Sequence, residues 1–486
     1  MMTSLRSTEA SVTRPESTST PDAAEITRVR EIDLSVRLPV IIFITAGIFW
    51  LLLGPAFGIV AALKMHAPGF LGQWEWLTFG RVRSAHLNMA IYGWASCAAI
   101  AVGLWIMARL SATKLRHGGI LTTAAVFWNL GVAIGVIGIF AGDMNPVAWL
   151  EMPMYAVPLL FIAYVLIGLW GVLTFWGRRT RHIYVSQWYL LGAFFWFAWI
   201  YSVAQGMLLY EPTRGTVQSI VNYWYVHNAF FLWLAPVGLA AAYYLIPKVT
   251  GKRIYNYYLS TLGFWSFAFI AAWGGMQYLI GSPVPVWVVS SGAVASMLMI
   301  IPVTVIGINH YGTLAGSFGL VRTSPALKFI VFGVVAFTVT ALLSILLGFR
   351  TVGEVTHFTH FRIAHTHLGV YGFFSMMMFG AIYYLVPRIV NRPWPSPKWI
   401  QAHFWLSAAG ISIYFFGLGI GGLIQGFQMN DPSVEFIEVV RGTIPYLFIR
   451  SFGGTLMFLG HIAFAASLIS IFRSGASEKN FLSDDS

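Results

Sequence analysis

Charge is what this chain has least of. Only 9% of its 486 residues are Asp, Glu, Lys or Arg, where a soluble domain carries about a quarter. With 58% hydrophobic residues and a mean hydropathy of +0.73, a soluble globule is excluded. Cysteine is nearly absent too: the single Cys97 rules out an intramolecular disulfide and a thiolate metal cluster. The first 35 residues lack any apolar run, being dominated by Ser, Thr, Glu and Pro up to Val40. A secretory leader needs a basic start followed by an apolar core, so residues 1–37 are expected to form a disordered cytoplasmic tail. The net charge of +12 is not a nucleic-acid footprint, because its bases fall in loops where they have a topological role.

What the chain does have is apolar blocks of ~20 residues, the length a helix needs to cross a bilayer. About twelve are visible, near 39–63, 85–109, 119–141, 152–176, 186–208, 220–246, 260–281, 286–310, 328–350, 362–387, 400–424 and 446–472. The expected fold is therefore all-α, a polytopic membrane protein over residues 38–475 with a short cytoplasmic tail at 476–486. Bases concentrate in the even loops, as at Arg178, Arg179 and Arg181 or Lys248, Lys252 and Arg253. Odd loops offset them with acids such as Asp143, Glu151, Asp431 and Glu438. The positive-inside rule then places both termini in the cytoplasm.

Histidines interrupt this apolar pattern. His86 opens span 2, His227 lies near the start of span 6, and His365 and His367 lie near the start of span 10. These spans run in the same direction, so all four should sit within ~10 Å of the outer helix ends. Ionisable groups inside spans are rare and usually functional. His66, His117, His182 and His403 read instead as structural or surface histidines. Residues at i and i+2 on a helix point about 200° apart, so His365 and His367 cannot hold one metal ion but can each reach a different flat cofactor. Haem iron accepts an axial histidine. His367 with His86 would make a six-coordinate haem, and His365 a five-coordinate one open to a gas. Gly93, Gly369 and Gly372 would allow the close helix approach that a packed macrocycle needs.

These residues resemble subunit I of the haem–copper oxidase superfamily, most closely its cbb3-type members. The likeness runs through "GRVRSAHLNMAIYGW" (80–94), "HIYVSQWY" (182–189), "WYVHNAFF" (224–231), "YYLIPK" (243–248), "IAHTHLGVYGF" (363–373) and "IRSFGGTLMFLG" (449–460). The resemblance implies a bacterial inner-membrane respiratory subunit with two b-type haems, fed by a c-type cytochrome subunit or soluble cytochrome c, and working beside other oxidase subunits. His86 and His367 then bind the low-spin haem and His365 the high-spin haem, which reduces dioxygen or nitric oxide. His357 matches a histidine near the haem propionates and a bound cation.

The resemblance also implies copper, or non-haem iron, opposite the high-spin haem, held by one histidine of span 6 and an adjacent pair in span 7. His227 supplies the first, but Gln277 and Tyr278 stand where the pair is expected. Ala271 stands where cbb3-type proteins carry a crosslinking tyrosine. One imidazole does not retain copper, which needs about three good ligands, so the second metal is doubtful even with Met276 nearby. Two readings stay open: a gas-reducing oxidoreductase, or a non-catalytic di-haem protein for electron transfer, gas sensing or assembly. Tyr255, Tyr257, Tyr258, Ser260 and Thr261 form either a polar inlet for protons or, the preferred reading, an interfacial aromatic belt. Glu354 and Arg362 could pair or meet propionates.

Overall fold

The computed structural model describes residues 23–115 and 118–474, and among them there is no strand. Among the described residues twelve helices are long and apolar enough to cross a membrane, so the expected all-α polytopic architecture is the one adopted. They are span 1 (Ala23–His66), span 2 (Phe79–Leu110), span 3 (Gly118–Ala141), span 4 (Met154–Trp176), span 5 (Val185–Tyr210) and span 6 (Thr216–Thr250). Span 7 (Tyr257–Leu279), span 8 (Val286–Leu314), span 9 (Pro325–Leu346), span 10 (His360–Val390), span 11 (Pro397–Met429) and span 12 (Phe436–Arg473) complete the bundle.

One boundary differs from expectation. Residues 23–37, read as part of a disordered tail, are the first turns of span 1. Asp33 is only 1% exposed. Its carboxylate receives Arg109 Nε at 2.7 Å, Arg109 Nη2 at 2.8 Å and Trp105 Nε1 at 2.9 Å, all from span 2. Ser35 Oγ accepts the Leu115 backbone N–H at 2.8 Å. Local composition reads this segment as polar because the groups that satisfy it lie more than 70 residues away. The remainder of the tail (1–22), the tail at 476–486 and His117 lie outside the described residues.

Spans 2, 6 and 10 form the centre. Their apolar windows are 94% buried, against 39–50% in the other nine, as expected of helices that are apolar all round. Each widens into π-helical turns directly after its histidines, at Met89–Ala95, Ala229–Leu234 and Leu368–Ser375. Such turns are frequent at functional sites because they redirect side chains without ending the helix. Indole–hydroxyl bonds lock the three together: Trp94 Nε1 donates to Ser375 Oγ at 2.9 Å and Trp233 Nε1 to Ser96 Oγ at 3.1 Å.

Removing one partner of a buried ion pair is costly because the other charge stays behind. Asp33→Ala is expected to destabilise the protein by about 3 kcal/mol, seen as a lower unfolding midpoint in detergent. The double variant Asp33→Ala, Arg109→Met should recover much of that loss.

Candidate functional site: two cavities flanking span 10

Two cavities open on either side of span 10. The first, about 390 Å³, lies among spans 1, 2, 10, 11 and 12 and is lined by both His86 and His367. The second, about 300 Å³, lies among spans 6, 7, 9 and 10 and is lined by His227 and His365. The opposed directions expected of His365 and His367 are therefore present, and each cavity brings one of them together with a histidine from another span.

Packing fixes each ring. His86 Nδ1 donates to the Gly54 carbonyl at 2.9 Å, leaving Nε2 with the lone pair. A Cβ on Gly58 would lie 2.7 Å from this ring, so span 1 must present a glycine there. His367 Nδ1 donates to Ile363 O at 2.8 Å, and its Nε2 accepts from Tyr414 Oη at 3.2 Å. Arg450 Nε in turn donates to that phenol oxygen at 3.1 Å. His365 Nε2 lies 3.0 Å from both Thr340 O and Ser344 Oγ. The carbonyl can only accept, so Nε2 carries the proton and Nδ1 the lone pair. Gly93 and Gly372 do not serve the cavities. A Cβ on Gly93 would strike the Trp50 ring, and one on Gly372 would strike Leu368, whereas Gly369 does line the second cavity.

The region opposite His365 departs from a three-histidine metal centre. Among the described residues no group of three His, Cys, Asp or Glu side chains could hold a metal ion. Span 7 stops being α-helical after Ala271 and resumes as a 3₁₀ turn at Met276–Leu279, with Gly275 at φ 103°. His227 leans into this gap, so that a Cβ on Gly274 would lie 2.1 Å from its Nε2. Gln277 turns away from the second cavity toward Gly292 of span 8, its Oε1 accepting the Gly275 N–H at 2.7 Å. Tyr278 faces the cavity, with its ring centroid 6.3 Å from that of His227 and 4.4 Å from the Arg362 guanidinium carbon.

Arg362 lines both cavities, and its Nε and Nη2 are buried without a hydrogen-bond partner. Arg83 and Arg450 line the first cavity, and His357 the second. Glu354 is exposed, so it and Arg362 have separate surroundings. Of the five polar residues at the start of span 7, Ser260 is fully buried and bonded to Asn309 Nδ2 at 3.0 Å. Tyr255 and Tyr258 are 62% and 89% exposed, as interfacial residues would be. His66 bonds Ser451 Oγ, His182 is exposed beside Tyr257, and His403 is wholly buried.

Sequence reasoning gave no role to Arg83, Arg450 or Tyr414, nor to Trp149, which walls both cavities. Arg450 carried a usable signal, since a guanidinium inside an apolar block is rare. Glu151, by sequence a loop acid, is 3% exposed and accepts from Asn88 Nδ2 at 2.9 Å.

Comparison with known proteins gives consistent likenesses. The family profile described as cytochrome C and quinol oxidase polypeptide I matches residues 39–456. A cytochrome c oxidase subunit 1 homolog of Azorhizobium caulinodans is 29% identical over 88% of this chain and 80% of its own length. A cbb3-type cytochrome c oxidase subunit of Stutzerimonas stutzeri is 28% identical over 87% of this chain and 92% of its own. A solved haem–copper terminal oxidase dimer contains a chain with the same fold, at a TM-score of 0.72 and 14% identity. That match covers 93% of this chain and 86% of the other.

Burial raises the Glu151 carboxyl above the usual carboxylate range, against the hydrogen bond from Asn88. The folded state therefore keeps a proton that the unfolded state has released, and stability falls as pH rises from the ordinary carboxylate pKa through the raised one. Glu151→Gln, which still accepts from Asn88, is expected to lose less thermal stability than the parent as pH rises above the ordinary carboxylate range.

Proposed function

The chain belongs to the cytochrome c and quinol oxidase polypeptide I family, and on that footing we propose that it is the haem-binding subunit I of a cbb3-like terminal oxidoreductase. One observation carries this reading: His365 and His367, two residues apart, line separate cavities, each with a second histidine from another span. In the proposal His86 and His367 hold a low-spin b-type haem in the first cavity, and His365 holds a high-spin b-type haem in the second. When bound, these groups supply one-electron transfer and an open iron face for a gas.

The residues present fit such groups. Cavity walls that are mainly apolar suit a macrocycle, while Arg83, Arg362 and Arg450 suit its carboxylates. Arg362, with two buried unpartnered donors and a place in both cavities, would serve a carboxylate from either side. His357, at the edge of the second cavity, belongs to the same polar end. Trp149 and Arg362 together form the wall common to both cavities. The Gly54, Ile363 and Thr340 carbonyls fix the tautomers of the three ligand histidines, which raises ligand basicity and orients each ring.

The fit fails for copper or non-haem iron. His227 is the one metal-type donor of its set, and Gln277 points elsewhere. Electrons would come from a c-type cytochrome, as a partner subunit or a soluble protein, and pass to dioxygen or nitric oxide without a conventional second metal. The chain would lie in a bacterial inner membrane with both termini cytoplasmic, beside other oxidase-like subunits. A second reading, a non-catalytic di-haem protein for electron transfer, gas sensing or assembly, is favoured by Ala271 and by the orientation of Gln277.

Metal analysis with optical spectra under carbon monoxide tests the proposal. One low-spin and one high-spin haem without copper are expected, and absence of haem would sink both readings. His365→Ala should abolish carbon monoxide binding and leave the low-spin spectrum intact. Loss of both haems in that variant would overturn the assignment of separate ligands. Steady oxidation of reduced cytochrome c by the gas separates the oxidoreductase from the non-catalytic protein.

A further inference from the structure

Two buried histidines are left unused by the haem assignment, and one of them, His461, lines the first cavity. His461 of span 12 is 1% exposed and His403 of span 11 is 0% exposed. Each has one ring nitrogen without a hydrogen-bond partner, Nδ1 of His461 and Nε2 of His403. Both rings pack on Phe379, with centroids 6.3 and 4.4 Å from it. His461 Nε2 lies 3.0 Å from Tyr371 Oη, and Tyr371 donates its own proton to Ser407 Oγ at 3.0 Å. The phenol oxygen is then the acceptor of His461 Nε2–H, and the lone pair sits on the unpartnered Nδ1. Tyr371 and His461 both line the cavity shared by His86 and His367.

We propose that the Tyr371–His461 pair is a proton-accepting site that fills when the first cavity gains an electron. The proposal rests on the reading of that cavity as the low-spin haem site. Charge added to a space of low dielectric is poorly screened, so a proton taken up nearby compensates it strongly. Several spans bring charged or titratable groups to this cavity and its surroundings. Arg450 lies on the same helix, Arg83 and His86 come from span 2, Arg362, His367 and Tyr383 from span 10, and Tyr414 from span 11. Span 1 lines this cavity with Leu51, Met65 and other residues that do not titrate, and span 9 adds Phe329 against His403.

His461 is buried among aromatic and apolar side chains, where an uncompensated cation is costly, so it stays neutral until charge of the opposite sign is added nearby. Were a haem held by His86 and His367 to take up one electron from the proposed c-type cytochrome, one proton from water would bind His461 Nδ1. The Nε2–H···Oη bond to Tyr371 persists, and reoxidation releases the proton and the electron together. His403 packs on the same Phe379 ring, its Nδ1 2.9 Å from Tyr383 Oη and its Nε2 without a hydrogen-bond partner.

The test is an anaerobic optical redox titration of the purified haem-loaded protein in detergent at several pH values, read in the low-spin band. In the parent the reduced-to-oxidised ratio at fixed potential is expected to fall up to tenfold per pH unit over part of the range, about 59 mV for a one-electron couple. His461→Leu should flatten that slope. His461→Gln should flatten it equally, because its amide can still donate to Tyr371 but does not titrate, and both should keep the parental low-spin spectrum. A flat parental profile, or a slope surviving in both variants, would overturn the proposal. Absence of a low-spin bis-imidazole spectrum, visible before any pH is varied, would instead overturn the haem reading and this inference with it.

Discussion

An imidazole inside a helix bundle has two ring nitrogens to satisfy and no bulk water to do it. The centre of this protein is arranged around that constraint. In each of His86, His367 and His365 one nitrogen donates to a main-chain carbonyl, those of Gly54, Ile363 and Thr340. One carbonyl comes from span 1, one from the histidine's own helix and one from span 9. Each bond chooses the tautomer and leaves a single basic nitrogen. The bond from His86 requires span 1 to pass close by, and Gly58, where any Cβ would meet the ring, permits that approach. The packing of a lipid-facing helix and the orientation of a candidate iron ligand are thus one feature of the fold.

The two sides of span 10 differ because their donors differ. The first cavity has a histidine on each of two spans and three arginines around it. The second keeps His365 and His227, but the broken stretch of span 7 offers them no companion imidazole. Gly274 provides only room, and His227 occupies it. Gln277 is held by the Gly275 N–H and packed against span 8. Its replacement of an expected histidine is therefore more than an exchange of donor type, since the side chain has left the cavity. Tyr278 remains, under Arg362, which places a phenol and a guanidinium where a second metal would be expected.

Spans and their number were legible because hydrophobic block length is a local property, and the four central histidines were legible because an ionisable group stands out in such a block. The tail boundary was not. Asp33 looks solvated until its partner Arg109 is known, and that contact exists only in three dimensions. His461 and His310 are just as buried, but they lie away from the outer ends of their spans, so the common depth that marks the other four does not single them out. The π-helical turns after each histidine have no compositional mark. Nor did the glycines divide as expected: Gly93 meets span 1, while the glycine that accommodates an iron ligand's ring is Gly58.

Charge balance ties these parts together. Arg362 and Arg450 are partly buried, and Arg83 adds a third cation at the rim of the first cavity. Retaining cations there is expensive unless anions answer them, and the cavity's other ionisable residues are histidines and tyrosines. A flat apolar occupant bearing carboxylates meets both requirements, with apolar walls for its body and guanidinium groups for its edge. Under the proposed reading an electron added to that occupant would disturb a balance set by fixed residues, and His461, which lines the same cavity without being assigned to an iron, is the side chain proposed to answer by changing its own charge.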